Sequence, residues 1–165
     1  MKSITTILHP TDFSDPAQGS FQLACALASD MKARLIAFHV VPPIAAYMDD
    51  LIDFTSPDQE LKAWEKLRGL QQTAEEGYGL DIDIDLSEGE PAAEILKVAR
   101  DRHCDLIVMG THGRTGLRHL LMGSIAEKVV RKADCPVLTA RTPLVPETAS
   151  GPLFLQEPRA LVSSY

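Results

Sequence analysis

Short runs of aliphatic and β-branched residues alternate along the chain with longer segments whose apolar positions recur at helical spacing. The runs predict five strands, and the amphipathic segments between them predict four helices. Because these helices are long enough to cross over a sheet, the alternation predicts a single domain with a parallel, doubly wound α/β sheet. The predicted strands are residues 4–9, 35–41, 81–86, 105–110 and 136–140.

Two helix starts combine a capping residue with a proline. The segment Asp15–Gln18 places proline at the first helical position after an aspartate cap, with glutamine two residues further on. The segment Ser56–Gln59 repeats this signature. The helix that it opens is predicted to end near Gly77 or Gly79, since glycine commonly follows the last helical turn.

The later elements differ in how their apolar residues are distributed. A helix from Pro91 and another over residues 124–133 are each predicted to bury one apolar face. In residues 81–86, isoleucine and leucine alternate with aspartate, which predicts a strand at a sheet edge with one solvated face. Residues 105–110 are almost continuously apolar, as in the middle of a parallel sheet. The side chains predicted to face inward from the two helices are Ile95, Leu96 and Ala99, and Ile125, Val129 and Val130.

Two segments lack a clear period. Residues 44–55 mix apolar side chains with three aspartates and are predicted to form a loop or a short lid. Residues 142–165 contain four of the chain's eleven prolines and are predicted to form an irregular tail. We therefore expect a folded domain over residues 1–141 and a proline-rich C-terminal tail over residues 142–165.

Composition narrows the classes of function. The chain carries 16 basic and 23 acidic residues, a formal net charge of −7, which argues against a nucleic-acid partner because such a partner requires a basic face. Its three cysteines show no CxxC spacing, so we expect small buried side chains in a reducing compartment. Neither a membrane span nor a secretion signal is evident, so no membrane partner and a cytoplasmic location are expected.

A glycine-rich, locally basic segment follows the fourth predicted strand. Gly110 and Gly113 allow tight turns close to a ligand, and the helix start at Ser124 favours an anion. The segment lacks the GK[ST] ending of a P-loop and the spacing of a dinucleotide fingerprint. Its spacing alone leaves two alternatives open, a phosphate-binding loop and a surface turn. The side chains that make the segment basic are His112, Arg114, Arg118 and His119.

Several polar residues near strand ends have both a structural and a functional interpretation. Asp12 is either a ligand-binding carboxylate or only a turn residue. His9 and His39 are expected to be packed or hydrogen-bonded rather than catalytic. Ser124 has no evident His–Asp partner and the histidines lack metal-ligand spacing, so neither a catalytic residue nor a metal-ligand set is predicted.

At its strand ends the chain resembles the universal stress proteins. The resemblance covers residues 1–141 and rests on the segments Pro10–Ser14, His39–Val40 and Val108–Gly113. It also includes the spacing Gly-x2-Gly-x9-Gly-Ser that ends at Ser124, which the ATP-binding members of that family carry.

The resemblance implies a five-stranded, Rossmann-like sheet of strand order 3-2-1-4-5 and a homodimer in which the fifth strands meet. It implies a site for ATP, or another adenine nucleotide, between the first and fourth strands, with Mg²⁺ or Mn²⁺ held mainly by the phosphates. Asp12 would then hold the adenine or ribose side, and Val40 would read the adenine edge through its main chain. The residues implied at the site are Pro10, Thr11, Asp12, Val40, Met109, Gly110, His112, Gly113, Arg114, Gly123, Ser124 and Ile125.

The function implied by the resemblance is that of a stress-response regulator. Such a protein would bind ATP as a homodimer and change a surface that contacts an unidentified protein partner. Two alternatives stay open: a slow ATP hydrolase or adenylyl-transferring enzyme, and an interaction module whose nucleotide site is vestigial.

Overall fold

A computed structural model describes residues 3–42, 58–111 and 123–140. The predictions for residues 44–55, for the tail over residues 142–165, and for His112, Gly113 and Arg114 lie outside these ranges. The elements of the described residues are β1 (Thr6–Pro10), α1 (Asp15–Met31), β2 (Arg34–Val41), α2 (Asp58–Tyr78), β3 (Asp83–Glu88), α3 (Pro91–Asp101), β4 (Leu106–Gly110), α4 (Ser124–Lys132) and β5 (Val137–Ala140).

The strands form one sheet of order β3-β2-β1-β4-β5, and all of its pairings are parallel. Both the predicted fold class and the implied strand order are confirmed. From β1 the chain winds outward through β2 to β3 and then crosses to β4 on the other side of β1. The winding direction therefore reverses between β1 and β4, and ligands of open α/β sheets bind at this kind of switch point.

The core lies on both faces of the sheet, because successive residues of a buried strand point to opposite sides. Ile7 and its neighbours on one face pack against Phe21 of α1 and Leu67 of α2. Leu8 and its neighbours on the other face pack against Val129 of α4 and the apolar side of α3. The predicted inward residues of α3, Ile95, Leu96 and Ala99, are all buried.

The N-cap of α1 is Ser14, and the prediction that Asp15 caps this helix is wrong. The Ser14 Oγ accepts a hydrogen bond from the main-chain N–H of Ala17 at 3.4 Å, and the main chain of Ser14 is extended, as a capping residue requires. Asp15 instead lies in the first helical turn, where its negative charge interacts favourably with the helix dipole.

The inward face of α4 also differs from its prediction. Val129 is 0% exposed, as predicted, but Ile125 and Val130 are 39% and 43% exposed, and Ala126, which was not predicted to face inward, is 3% exposed. Ala126 and Val129, three residues apart, form the centre of the buried face, so Ile125 and Val130 lie on its two flanks. Both buried side chains belong to the core cluster on this face of the sheet.

The two sheet edges carry different side chains. β3 lies at an edge, as predicted, but two of its aspartates are ion-paired: Asp83 with Arg34, and Asp85 with Arg102 at 2.8 Å. β5 forms the opposite edge of the described sheet and has β4 as its strand neighbour. Its Leu138 side chain is 39% exposed.

The cysteines largely follow their prediction. Cys25 and Cys104 are buried, while Cys135 is half-buried. Burial raises the pKa of the Cys25 thiol to about 12 and is also the main reason that the Cys104 pKa rises to about 11. Both side chains are therefore protonated thiols at neutral pH. Within the described ranges, none of the helices is long and apolar enough to span a membrane.

Candidate functional site

A cleft of about 320 Å³ lies at the carboxyl ends of β1, β2 and β4. This volume is at the lower end of the range for small-molecule sites, which is about 300–1,000 Å³. The cleft brings together the nine predicted site residues that the structure describes: Pro10, Thr11, Asp12, Val40, Met109, Gly110, Gly123, Ser124 and Ile125.

The turn between β1 and α1 forms one side of the cleft. The Thr11 N–H donates to the carbonyl oxygen of Phe38 at 2.8 Å, which attaches the turn to β2. The Asp12 Oδ1 accepts hydrogen bonds from the N–H and the hydroxyl of Ser14, at 3.1 and 2.6 Å. Asp12 is thus a turn residue that also lines the cleft, and the two interpretations of its role are compatible.

Part of the cleft lining is apolar. Val40 lies near the end of β2 and is 8% exposed, and Pro42 lies two residues further on. Pro91 and Ile95 of α3 also line the cleft.

The N-terminus of α4 also lines the cleft. Gly123 is the N-cap of α4, and no side-chain hydrogen bond caps this helix among the described residues. The N–H groups of the first helical turn carry partial positive charge and favour an anion. The Gly123 N–H donates to the Thr111 carbonyl at 2.7 Å, so the residues on either side of positions 112–122 are hydrogen-bonded to each other.

Two histidines near the site are packed and hydrogen-bonded, as predicted. The His9 Nδ1 is 2.9 Å from the carbonyl oxygen of Val108, and the side chain is fully buried. Burial lowers the His9 pKa to about 4. The His39 Nδ1 is 2.7 Å from the carbonyl oxygen of Thr11, and His39 also lines the cleft.

The remaining lining residues were not identified from the sequence. The sequence did contain a signal for Pro91 and Ile95. They lie at the start of a helix that follows a strand, and such a helix begins at the sheet edge where that strand ends. The residues missed are Ala17, Phe38, His39, Pro42, Pro91, Ile95, Thr111 and Ala126. Within the described part of the chain, no group of three or more His, Cys, Asp or Glu side chains is arranged to hold a metal ion.

The strand order and the cleft at its switch point define a Rossmann-like α/β protein whose candidate site combines an apolar wall with a helix N-terminus. Residues 3–141 match the sequence profile of the universal stress protein family. The chain belongs to this family.

Individual relatives support this assignment along most of the chain. The chain is 36% identical over 140 residues to universal stress protein MJ0531 of Methanocaldococcus jannaschii, a match that covers 83% of this chain and 82% of that protein. The structure is similar to that of universal stress protein UspA from Lactobacillus plantarum. The TM-score is 0.71 and the identity 28%, with 86% of this chain and 100% of that chain covered.

Two structures of the same fold contain nucleotides. One is a universal stress protein in complex with cAMP, with a TM-score of 0.67, coverage of 86% of this chain and 100% of that chain. The other is the universal stress protein from Archaeoglobus fulgidus in complex with dAMP, with a TM-score of 0.63 and coverage of 84% and 98%. Both are 22% identical to this chain, so they establish similarity of fold alone.

Proposed function

We propose that this protein binds an adenine nucleotide, ATP in the first place, in the cleft between β1 and β4. The observation that carries the proposal is the lining of the cleft, in which apolar side chains and the N-terminus of α4 border the same cavity. A base and a phosphate chain require these two environments. The cAMP and dAMP complexes of proteins with the same fold support an adenine nucleotide as the ligand.

Each side of the proposed site has a distinct chemical task. The main chain of Val40 reads the adenine edge, and the Asp12 carboxylate holds the adenine or ribose side. Gly110, Gly123 and Ser124 surround the ribose and phosphates, together with His112, Gly113 and Arg114 of the glycine-rich segment.

A divalent cation at this site would be held mainly by the phosphates of the nucleotide. Asp12 is the carboxylate among the described residues that line the cleft, and Mg²⁺ commonly binds through one or two carboxylates and substrate phosphates. We therefore place Mg²⁺ or Mn²⁺ on the phosphates rather than in a protein cage. The ion would neutralise phosphate charge in a protein whose net charge is −7.

The proposed biological role is regulatory. We infer a cytoplasmic homodimer that pairs through β5, in which the bound nucleotide changes a surface recognised by a protein partner. Among the described residues β5 has β4 as its strand neighbour, and the exposed side chains of Leu138 in β5 and Val130 in α4 support this interface. The domain over residues 1–141 would contain the site, with residues 142–165 as its tail.

Replacing Gly123 by valine tests the anion end of the site. Gly123 has φ −70° and ψ 154°, a conformation open to a β-branched residue, so the loss expected is steric and not due to backbone strain. We expect ATP affinity, measured by isothermal titration calorimetry, to fall by about tenfold or more, since a misplaced phosphate loses several charge-assisted hydrogen bonds.

The matched control is Gly69→Val on α2, where a Cβ would meet no atom within 4 Å beyond its chain neighbours and the nearby backbone of its own helix. This variant should bind ATP as the unaltered protein does. Unchanged ATP affinity in Gly123→Val would refute the assigned phosphate end.

Two further measurements distinguish the alternatives. Mass spectrometry of the denatured, freshly purified protein identifies a nucleotide carried over from the cell. Cleavage of ATP in a single-turnover experiment would show that the protein is a slow ATP hydrolase.

A further inference from the structure

The His39 imidazole is hydrogen-bonded to the turn that carries Asp12. His39 is not among the residues proposed above to contact the nucleotide. His39 lies in β2 and lines the cleft. Its Nδ1 is 2.7 Å from the carbonyl oxygen of Thr11, and because a carbonyl oxygen only accepts hydrogen bonds, Nδ1 is the donor. A side chain of β2 thereby fixes the main chain that leaves the neighbouring strand β1.

The same imidazole packs against Phe13, whose main chain has an unusual conformation. Phe13 has a φ of +61°, in the left-handed region that bulky residues rarely occupy. Its ring centroid lies 4.5 Å from that of His39, and the Lys66 Nζ is 5.2 Å from the Phe13 ring centroid. Because surrounding contacts must stabilise such a conformation, His39 is one of the groups that hold Phe13 in place.

Further hydrogen bonds within the turn connect Phe13 to the direction of Asp12. The Phe13 N–H donates to the Thr11 Oγ1 at 3.0 Å. The Ser14 N–H donates to the Asp12 Oδ1 at 3.1 Å, across the left-handed residue that separates them. A group that stabilises both Thr11 and Phe13 therefore also sets the direction in which the Asp12 carboxylate enters the cleft.

We propose that His39 is a positioning residue of the nucleotide site, which holds the turn of residues 11–14 through the Thr11 carbonyl and the Phe13 ring. His39 contributes to nucleotide affinity by orienting Asp12 and does not itself contact the nucleotide. The proposal rests on the proposed function, because it assigns His39 a part in nucleotide affinity.

Two substitutions separate the hydrogen bond from simple packing. His39→Leu retains an apolar side chain but has no donor, whereas His39→Asn retains an N–H donor at a similar distance from the main chain. We expect the dissociation constant for ATP, measured by calorimetry, to rise about three- to tenfold in His39→Leu. In His39→Asn it should stay within about twofold of the unaltered protein. A purely structural role would predict that affinity follows the melting temperatures of the two variants.

A second measurement requires no nucleotide. In the ligand-free protein, hydrogen exchange at the amides of Phe13 and Ser14 reports the bonds of the turn directly. Exchange at these amides should accelerate about three- to tenfold in His39→Leu and stay unchanged in His39→Asn. If the unaltered protein fails to bind ATP, the proposed function fails, while accelerated exchange still supports His39 as the residue that positions the turn.

Unchanged ATP affinity and unchanged exchange in His39→Leu would overturn the proposal, and so would equal losses in the two His39 variants. If His39→Leu does not fold, Phe13→Leu provides an independent test, since it removes the ring contact at a partly exposed position. The proposal predicts a loss of ATP affinity of about two- to tenfold in Phe13→Leu, with faster exchange at Ser14. Unaltered behaviour of this variant would contradict it.

Discussion

At the scale of single residues, His9 is a titratable side chain that the fold removes from water. Its side chain is 0% exposed and packs 5.3 Å from the Phe21 ring centroid. The Nδ1 must donate to the Val108 carbonyl, and the buried Nε2 has no hydrogen-bond partner among the residues that the structure describes. Burial lowers the His9 pKa to about 4, against smaller opposing effects of the Val108 carbonyl and the Asp12 charge.

This environment predicts acid sensitivity of the fold. The His9 pKa of about 4 lies below the unfolded value of 6.5, so the unfolded chain binds more protons between these values and stability falls as the pH falls through this window. The difference amounts to about 2 kcal/mol between pH 7 and pH 5. Urea unfolding at both pH values should show this loss for the unaltered protein.

The matched variant is His9→Asn, which retains a donor toward the Val108 carbonyl but cannot titrate. The other ionisable groups contribute to both proteins, so the difference between their pH profiles isolates His9. We expect His9→Asn to be less stable at pH 7, because it leaves a small cavity, yet to lose about 2 kcal/mol less on acidification. Parallel pH profiles would show that His9 does not titrate in this window.

At the scale of elements, α3 and α4 meet the cleft from the same face of the sheet, and a side chain at the start of α3 joins them. Glu90 is the N-cap of α3 and accepts a hydrogen bond from the Ala93 N–H at 2.7 Å. Its other carboxylate oxygen lies 3.1 Å from the Lys128 Nζ of α4. The Ala93 bond is the main cause of the lowered Glu90 pKa, and the Lys128 contacts act in the same direction.

Capping and ion pairing by Glu90 can be measured separately. Glu90→Ala should lower the free energy of unfolding by about 1 kcal/mol, the usual effect of losing an N-cap. Lys128→Ala should lower it by about 0.2–1 kcal/mol, since both partners are half-exposed. Urea unfolding curves measure both values, with Glu90→Asp as the variant that retains a capping carboxylate. A larger loss in Lys128→Ala than in Glu90→Ala would reverse this ranking.

Local sequence patterns were sufficient to predict the strands and helices, but not which face of each helix is buried. Hydrophobic periodicity and proline-containing starts predicted five strands and four helices, because these signals arise within one element. In the nine-residue α4 the pattern predicted the buried Val129 correctly but not Ala126, and it turned Ile125 and Val130 inward, which are 39% and 43% exposed. The burial of Ala126 is a tertiary feature that apolar spacing within one helix does not specify.

The candidate site was predictable where its residues end strands or start a helix. The positions around Asp12 and Gly123 have turn and helix-start chemistry that can be recognised locally. The start of α3 after β3 indicated the sheet edge at which Pro91 and Ile95 lie. Local patterns did not show that β3 pairs with β2 and so brings this helix start to the cleft. The strand order likewise came from the family resemblance rather than from periodicity.

At the scale of the whole molecule, the sheet has two edges, and only one is rich in charge. The edge strand β3 carries aspartates that pair with arginines, and charged side chains discourage further strand pairing. The edge strand β5 has the sequence Val-Leu-Thr-Ala and carries no charged side chain. This asymmetry favours β5 as the edge through which two copies associate.

A lysine at the β5 edge should therefore separate the proposed dimer. In Leu138→Lys, two like charges would meet across a two-fold interface, so light scattering should give the 18.0 kDa of one chain, where the unaltered protein gives twice that mass. Leu61→Lys is the matched control, because Leu61 is 54% exposed on α2, and it should remain dimeric. A dimeric Leu138→Lys would place the interface elsewhere, and a monomeric unaltered protein would remove the dimer from the proposed function.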